Sequence, residues 1–363
     1  VYVNFEDDRL FGLGLKDLDD LISSYFDLYP DKQKEKIYIF LDEVQAVPGW
    51  EQFVRRIYDT LNVSIFITGS SSKLLSSEIA TSLRGRTVSF EIFPLSFREY
   101  LNFKEIDVNL NSSKSVSYIR NNLERYLEKG GFPELIGETE DIQKRILSDY
   151  IDLIVYRDVI ERHGIKNTAL LKNIIKYTFT NVGTLLSITK LYNDYKSQGF
   201  KVGKDTLFEY FSHLSDAYTV FTVPIFRSSI KEEHRNPRKI YAVDNGFKNN
   251  YDAFLSHDLS KLYENTVFLQ LRRMNKEIYY YKDKQEVDFY CKINGRKTII
   301  NVSYDIDNKK TREREIKGLI EAMDFIGAEK STLITRDEEN ILKIDQKEIR
   351  VMPLYKWLLE ERG

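Results

Sequence analysis

The chain has 363 residues, 42% hydrophobic and 30% charged, with a formal net charge of -2. That balance excludes binding of nucleic acid through overall basic charge, so any such contact needs a local patch. One cysteine, Cys291, excludes an intrachain disulfide and a four-cysteine zinc site, and the expectation is a cytoplasmic protein without a membrane span, since no apolar run approaches the roughly 18–20 residues that cross a bilayer.

Val1–Phe5 reads as a strand already under way, which predicts that the sequence starts inside a domain. Leu15–Tyr29 has apolar residues at helical spacing: Leu15, Leu18, Leu21, Ile22 and Tyr25. Ile37–Leu41 is a short apolar run of the kind found in strands buried on both faces of a parallel sheet. Asp42 and Glu43 follow at its carboxyl end, where ligands bind in open α/β sheets. An apolar strand ending in Asp-Glu matches a Walker B element, in which the Asp holds Mg²⁺ and the Glu orients water. The plain alternative is two solvated acids in a turn. Trp50–Leu61 is a predicted helix and Ser64–Thr68 a second strand. A strand–helix–strand unit of this length is parallel and right-handed, which places Thr68 and Ser70 beside Asp42 and Glu43. Arg84 and Arg86 flank Gly85 in a predicted loop. They read either as solvated arginines or as an arginine finger acting on a neighbouring subunit.

The series NFEDDRL, IYIFLDEVQAVPGWEQFVRRIYD and IFITGSSSKLLSSEIATSLRGRTVSFEIFPLSFREYL resembles a family of archaeal and bacterial AAA-type ATPases that carry a C-terminal domain of unknown function. The resemblance runs over essentially the whole chain. It implies a RecA-like α/β core that binds ATP and Mg²⁺, with Asp42–Glu43 as Walker B, Ser70 in the sensor position, and Arg86 and Arg84 as finger residues. The family's G-x-x-x-x-G-K-[ST] phosphate loop does not occur in the 363 residues. The expectation is that it lies upstream, and that the chain without it binds ATP weakly or not at all.

Downstream, Tyr118–Leu127 reads as a helix ending at Gly130–Gly131, and GGFPE as a turn. Arg145–Arg162 reads as a long helix, on which Arg157 and Asp158 look like a solvated charged pair. Leu170–Val182, Ile188–Lys196 and Lys204–Ser215 are predicted helices, followed by an extended Tyr218–Phe226. Three helices and a wing suggest a winged helix. Its third helix carries Lys204 but also Asp205 and Glu209, and the basic residues Arg227, Lys231, Arg235, Arg238 and Lys239 come later. DNA binding and a packing role both remain open for this module.

Lys239–Val243 reads as a strand closing that module, and Leu259–Met274 as a helix carrying Glu264. Glu277–Lys282, Val287–Ile293 and Thr298–Tyr304 are predicted strands, the last two joined by an Asn294–Gly295 hairpin turn. Arg314–Ile326 reads as a helix, Ser331–Thr335 as a strand and Met352–Leu359 as a closing segment. A helix Glu followed by a strand Asp is the layout of the PD-(D/E)xK nuclease fold, in which acids hold Mg²⁺ and a lysine positions water. Glu264 and Asp288 match the first two positions. The third strand reads Asn301-Val302-Ser303 in place of E-x-K, so the domain is expected to be nuclease-folded in a degenerate form.

The expected division is an ATPase core at 1–105, a helical connector at 106–165, a winged-helix-like domain at 166–238 and a nuclease-like domain at 239–363. The expected function is an Mg-ATP-dependent ATPase acting on DNA or a protein partner, as a homo-oligomer if Arg86 works between subunits. The alternatives are a metal-dependent nuclease, in which Asp305 or Glu286 replaces the lost acid, and a non-catalytic interaction protein.

Overall fold

The computed structural model describes residues 1–70, 83, 85–251, 259–274 and 277–360, without the side chains of residues 230, 234 and 235. The chain divides into two compact units. One comprises Val1–Phe90 with Asp216–Tyr218, and the other Glu91–Ser215 with Thr219–Gly363.

The first unit is built on a parallel sheet of order β1 (Tyr2–Asn4), β2 (Ile37–Asp42), β3 (Val63–Ile67). Helices α1 (Leu15–Leu28) and α2 (Trp50–Thr60) form the connections. Both pack on one face, where Leu18, Ile22, Phe53, Val54 and Ile57 meet Val3, Ile39 and Leu41. The reading of Ile37–Leu41 as buried on both faces is corrected here: β2 alternates, and Tyr38 and Phe40 are exposed. Phe40 stacks on Phe66 of β3 at 4.8 Å, beside the exposed Tyr2. An apolar run alone does not report how many of its faces are covered, because the coverage comes from elsewhere in the chain.

In the second unit α3 (Phe97–Phe103) and α4 (Ser113–Lys129) lead into α5 (Glu140–Leu153), which continues as a π-helical stretch, Ile154–Glu161. The solvated reading of Arg157 and Asp158 fails for the acid: Asp158 is buried and Arg162 donates to it at 3.0 Å. Helices α6 (Thr168–Thr180), α7 (Ile188–Ser197) and α8 (Lys204–Asp216) follow. They accompany an antiparallel sheet of order β4 (Leu185–Leu186), β6 (Arg238–Ala242), β5 (Val220–Val223), with the short α9 (Ile230–Arg235) between β5 and β6.

After α10 (Asn245–Tyr251) and α11 (Leu259–Met274) comes a six-stranded mixed sheet. Its strands are β7 (Ile278–Lys282), β8 (Glu286–Ile293), β9 (Arg296–Val302), β10 (Lys330–Thr335), β11 (Asn340–Ile344) and β12 (Lys347–Pro353), in the order β11-β12-β10-β9-β8-β7. β9, β10 and β12 run parallel to their neighbours in that trio, and the outer pairs are antiparallel hairpins. Helix α12 (Lys309–Ile326) covers one face, while α11 and α13 (Leu354–Leu359) cover the other. The Asn294–Gly295 turn has positive φ at both residues, as the hairpin prediction requires.

The GGFPE turn has a partner that explains its glycines. Gly130 ends α4 with φ +86° and ψ -169°, a region only glycine enters at low cost. A Cβ there would lie 1.7 Å from Asp244 Oδ1. The buried Asp244 carboxylate accepts from Gly131 N at 2.8 Å and Gly246 N at 2.7 Å. Burial nevertheless pushes its pKa up to about 6, against the pull of those two N–H groups.

Gly130→Ala is expected to cost roughly 2–4 kcal/mol in denaturant unfolding, combining backbone strain with the clash. A native pKa above the unfolded value means that the native state holds the Asp244 proton more tightly. Stability from this group therefore falls as pH rises from the ordinary carboxylate range through about 6. Asp244→Asn should flatten the pH dependence of urea unfolding by about 1–3 kcal/mol across that window, while also losing one N–H acceptor.

Candidate functional site

Successive side chains of a strand point to opposite faces, so two adjacent acids at a strand end would normally diverge. Here Glu43 has φ 53° and ψ 40°, the left-handed region. The chain turns at once, and both carboxylates meet the end of β3. Asp42 Oδ1 accepts from the Thr68 hydroxyl and Asp42 Oδ2 from the Tyr2 hydroxyl at 2.8 Å. Glu43 Oε2 accepts from Ser70 N at 3.4 Å, from Ser70 Oγ at 3.3 Å and from the Gln45 amide. The backbone N of Glu43 faces Thr68 Oγ1 at 3.4 Å. The half-buried Asp42, Glu43 and Ser70 and the exposed Thr68 thus lie together at the carboxyl ends of β2 and β3. Tyr2 and Gln45 join them, neither of which sequence reasoning singled out.

Arg86 is not among the groups bonded to these acids. It pairs with Asp59 on α2 and lies over the Tyr58 ring at 5.6 Å, lining a small cleft with Val54, Ile65 and Leu83. Both partners of that ion pair are exposed, so solvent screens it and little holds the guanidinium there. Arg84 lies outside the described residues.

A second cluster forms around the other predicted acids. Glu264 on α11 and Asp288 on β8 converge, both buried. Between them sits Lys239 of β6, 1% exposed. Its Nζ lies 3.0 Å from Glu264 Oε1, 2.7 Å from Asp288 Oδ1 and 2.8 Å from Glu286 Oε1. The Tyr241 hydroxyl donates to Glu264 Oε1 at 2.8 Å, and Lys261 donates to Glu264 Oε2 at 2.9 Å. Asp288 Oδ2 accepts from Val302 N at 2.9 Å. Asn301 accepts from Asp288 N at 3.0 Å and donates to Glu315. Ser303 is buried and donates to the Asp305 carbonyl at 3.3 Å. Asp305 caps a local turn through Asp307 N, so of the two substitute acids only Glu286 joins the cluster.

Burial opposes the charge of Lys239, but Asp288 and Glu264 outweigh it and hold the ammonium pKa well above the usual lysine value. Burial also pushes Glu264 up, and Lys239 and Lys261 overcome it, leaving the carboxyl below the usual range. Asp288 goes up to about 6 through burial and the neighbouring Glu264.

Lys239 is one of the basic residues that follow the third helix of the predicted winged helix, and its burial removes it from any contact with phosphates. Arg227 donates to the Phe226 and Lys282 carbonyls and Arg238 to Thr222, so these two are occupied within the chain. Lys231 is exposed, and the Arg235 side chain lies outside the described residues. Among the described residues, no helix is long and apolar enough to cross a membrane.

The first unit carries a parallel α/β sheet, and residues 1–101 match the family model of an AAA domain. Residues 120–273 and 259–357 match two models, each described as a domain of unknown function, DUF8612 and DUF4143. An uncharacterized protein of Methanocaldococcus jannaschii, MJ1544, is 38% identical over 375 residues, covering 99% of this chain and 82% of that protein. An uncharacterized protein of Haemophilus influenzae is 31% identical over 361 residues, covering 99% of this chain and 86% of its own length. A second M. jannaschii protein, MJ1637, is 28% identical over 162 residues, 39% of this chain and 34% of that protein. The chain belongs to the family of the first two, AAA-type ATPase-like proteins whose AAA domain is followed by domains of unknown function.

Proposed function

We propose that the protein binds and hydrolyses Mg-ATP through its N-terminal domain and uses the cycle to act on DNA or a protein partner. The observation that carries this is the convergence of Asp42, Glu43, Thr68 and Ser70 at the end of β2 and β3. The donor set suits a hard divalent cation, because Asp42 offers half-exposed carboxylate oxygens whose present partners are neutral hydroxyls. Bound Mg-ATP supplies the phosphoanhydride and the metal charge that neutralises it.

The roles follow from the contacts. Asp42 would hold the metal. Glu43, steadied by Ser70, would orient and polarise water, and Ser70 would report the state of that carboxylate to the end of β3. Thr68 fixes Asp42 by its hydroxyl. Arg86, weakly held at Asp59, is free to serve a neighbouring copy as a finger, with Arg84 as the other basic group of the loop; that role requires a homo-oligomer.

The division into a core at 1–105, a connector at 106–165, a winged-helix-like domain at 166–238 and a nuclease-like domain at 239–363 belongs to the same proposal. The order β4-β6-β5 beside α6, α7 and α8 supports the winged helix. Glu264 on a helix and Asp288 on an adjoining strand support the nuclease-like fold.

Turnover of Mg-ATP, measured on the protein as its gene encodes it, should fall by about 10²-fold or more in Glu43→Gln while nucleotide binding persists. Asp42→Ala should weaken the Mg²⁺ dependence of binding. Turnover unchanged by Glu43→Gln would remove the assignment.

A further inference from the structure

We infer that the Lys239 ammonium is a built-in cation: it fills the position between Glu264, Glu286 and Asp288 that a divalent metal would take, and makes the C-terminal domain a metal-free scaffold. This deepens the nuclease-like reading of that domain and is independent of the ATP chemistry.

An ammonium has three N–H donors. Lys239 places three carboxylate oxygens, from three different residues, at 2.7–3.0 Å from Nζ. The remaining oxygens are also taken. Glu264 Oε2 faces Lys261 at 2.9 Å, Glu286 Oε2 faces Lys282 at 3.2 Å and Asp288 Oδ2 accepts from Val302 N at 2.9 Å. Three carboxylates therefore meet three ammonium groups. No negative charge is left over to draw a divalent cation, and each of these oxygens already has a donor. The next strand offers Asn301 and Ser303, neither of them a charged ligand, and both have partners within the chain.

An incoming metal would have to expel Lys239. The residue is 1% exposed, and its ammonium lies 5.9 Å from the Tyr280 ring centroid. Its strand is fixed on both sides, by β4 and by β5. The neighbouring carboxylates hold the lysine pKa well above its usual value, in the same direction. Lys239 comes from a strand outside the six-stranded sheet that carries Asp288. The same contact therefore welds that strand to α11 and β8.

The test counts Mn²⁺ ions by electron paramagnetic resonance and follows thermal unfolding of the full chain. Wild type and Asp288→Asn should bind the same number of ions. Lys239→Ala should be destabilised in EDTA and bind one ion more than wild type. Its Tm should rise by roughly 5 °C or more in Mn²⁺, and adding Asp288→Asn should abolish both gains. Lys239→Met fills the volume without charge and should lose stability that Mn²⁺ does not restore. Combining it with Glu264→Gln and Asp288→Asn should recover most of that loss, because the two buried acids, once neutral, need no counter-ion, while the more exposed Glu286 keeps Lys282.

An ion bound by wild type and lost in Asp288→Asn would overturn the inference, as would a folded Lys239→Ala that gains none. If Lys239→Ala does not fold, the wild-type count and the triple variant decide: a triple variant as unstable as Lys239→Met alone would overturn it. Mn²⁺-dependent DNA cleavage by wild type, lost in Asp288→Asn, would also overturn it and would leave the ATPase assignment standing.

Discussion

The second unit depends on one buried ammonium. Removing a charge from water costs several kcal/mol, and partners repay this only when their geometry is good and their other atoms are satisfied. Lys239 meets that condition, with acceptors at 2.7, 2.8 and 3.0 Å. The polar network continues from it in both directions. Asn265 accepts from Ala242 N and donates to Asn245, which donates to Thr266. Asp288 N donates to Asn301. The bonds from Lys239, Tyr241 and Ala242 join β6 to residues 23 to 49 positions away, so a shift of β6 by one residue would leave several buried polar groups unpaired at once. A slip of one residue would also turn every side chain of β6 to the opposite face. Fixing the register of β6 on α11 and β8 is therefore the work of this network, with the aromatic packing of Tyr241 on Phe268 and Phe289 filling the space around it.

The first unit rests on a different constraint. Glu43 adopts a left-handed backbone that costs a side chain of its kind about 1 kcal/mol or more. The return is local: an acid that would have pointed across the sheet is turned back to Ser70. Strain of this sort persists only where the surroundings impose it. The backbone bonds from Phe5 N to the Asp42 carbonyl and from Thr68 N to the Leu41 carbonyl hold the strand on both sides of the turn.

Much of this could be read from the sequence, for reasons that are local. The apolar run before Asp42, the spacing of strand, helix and strand, and the Asn294–Gly295 turn are short-range signals, and each has its counterpart in the structure. What could not be read depends on distance along the chain. Lys239 looked like one more base beside Arg238, because the carboxylates that bury it lie 25 and 49 residues away. The glycines of GGFPE looked like an ordinary turn, because Asp244 lies 113 residues from Gly131. The β11–β12 hairpin was not predicted either. Its turn at Asp345 has positive φ without a glycine, and its outer strand, Asn340–Ile344, is short and largely exposed. Tyr38 and Phe40 carry the same lesson in reverse: their apolar character suggested a covering layer that the described residues do not supply.

The two acid clusters also show why identical side chains do not make equivalent sites. At Asp42 the donors are hydroxyls, which hold a carboxylate in place yet cancel none of its charge. At Glu264 and Asp288 the donors include full ammonium charges, which hold the carboxylates and neutralise them as well. A cation arriving at the first keeps the whole Coulomb attraction of a half-exposed anion. One arriving at the second meets a neutral assembly and a residue it must displace. The proposed Mg-ATP chemistry therefore suits the end of β2 better than the second cluster. The carboxylates of the C-terminal domain, on the same electrostatic ground, hold strands together.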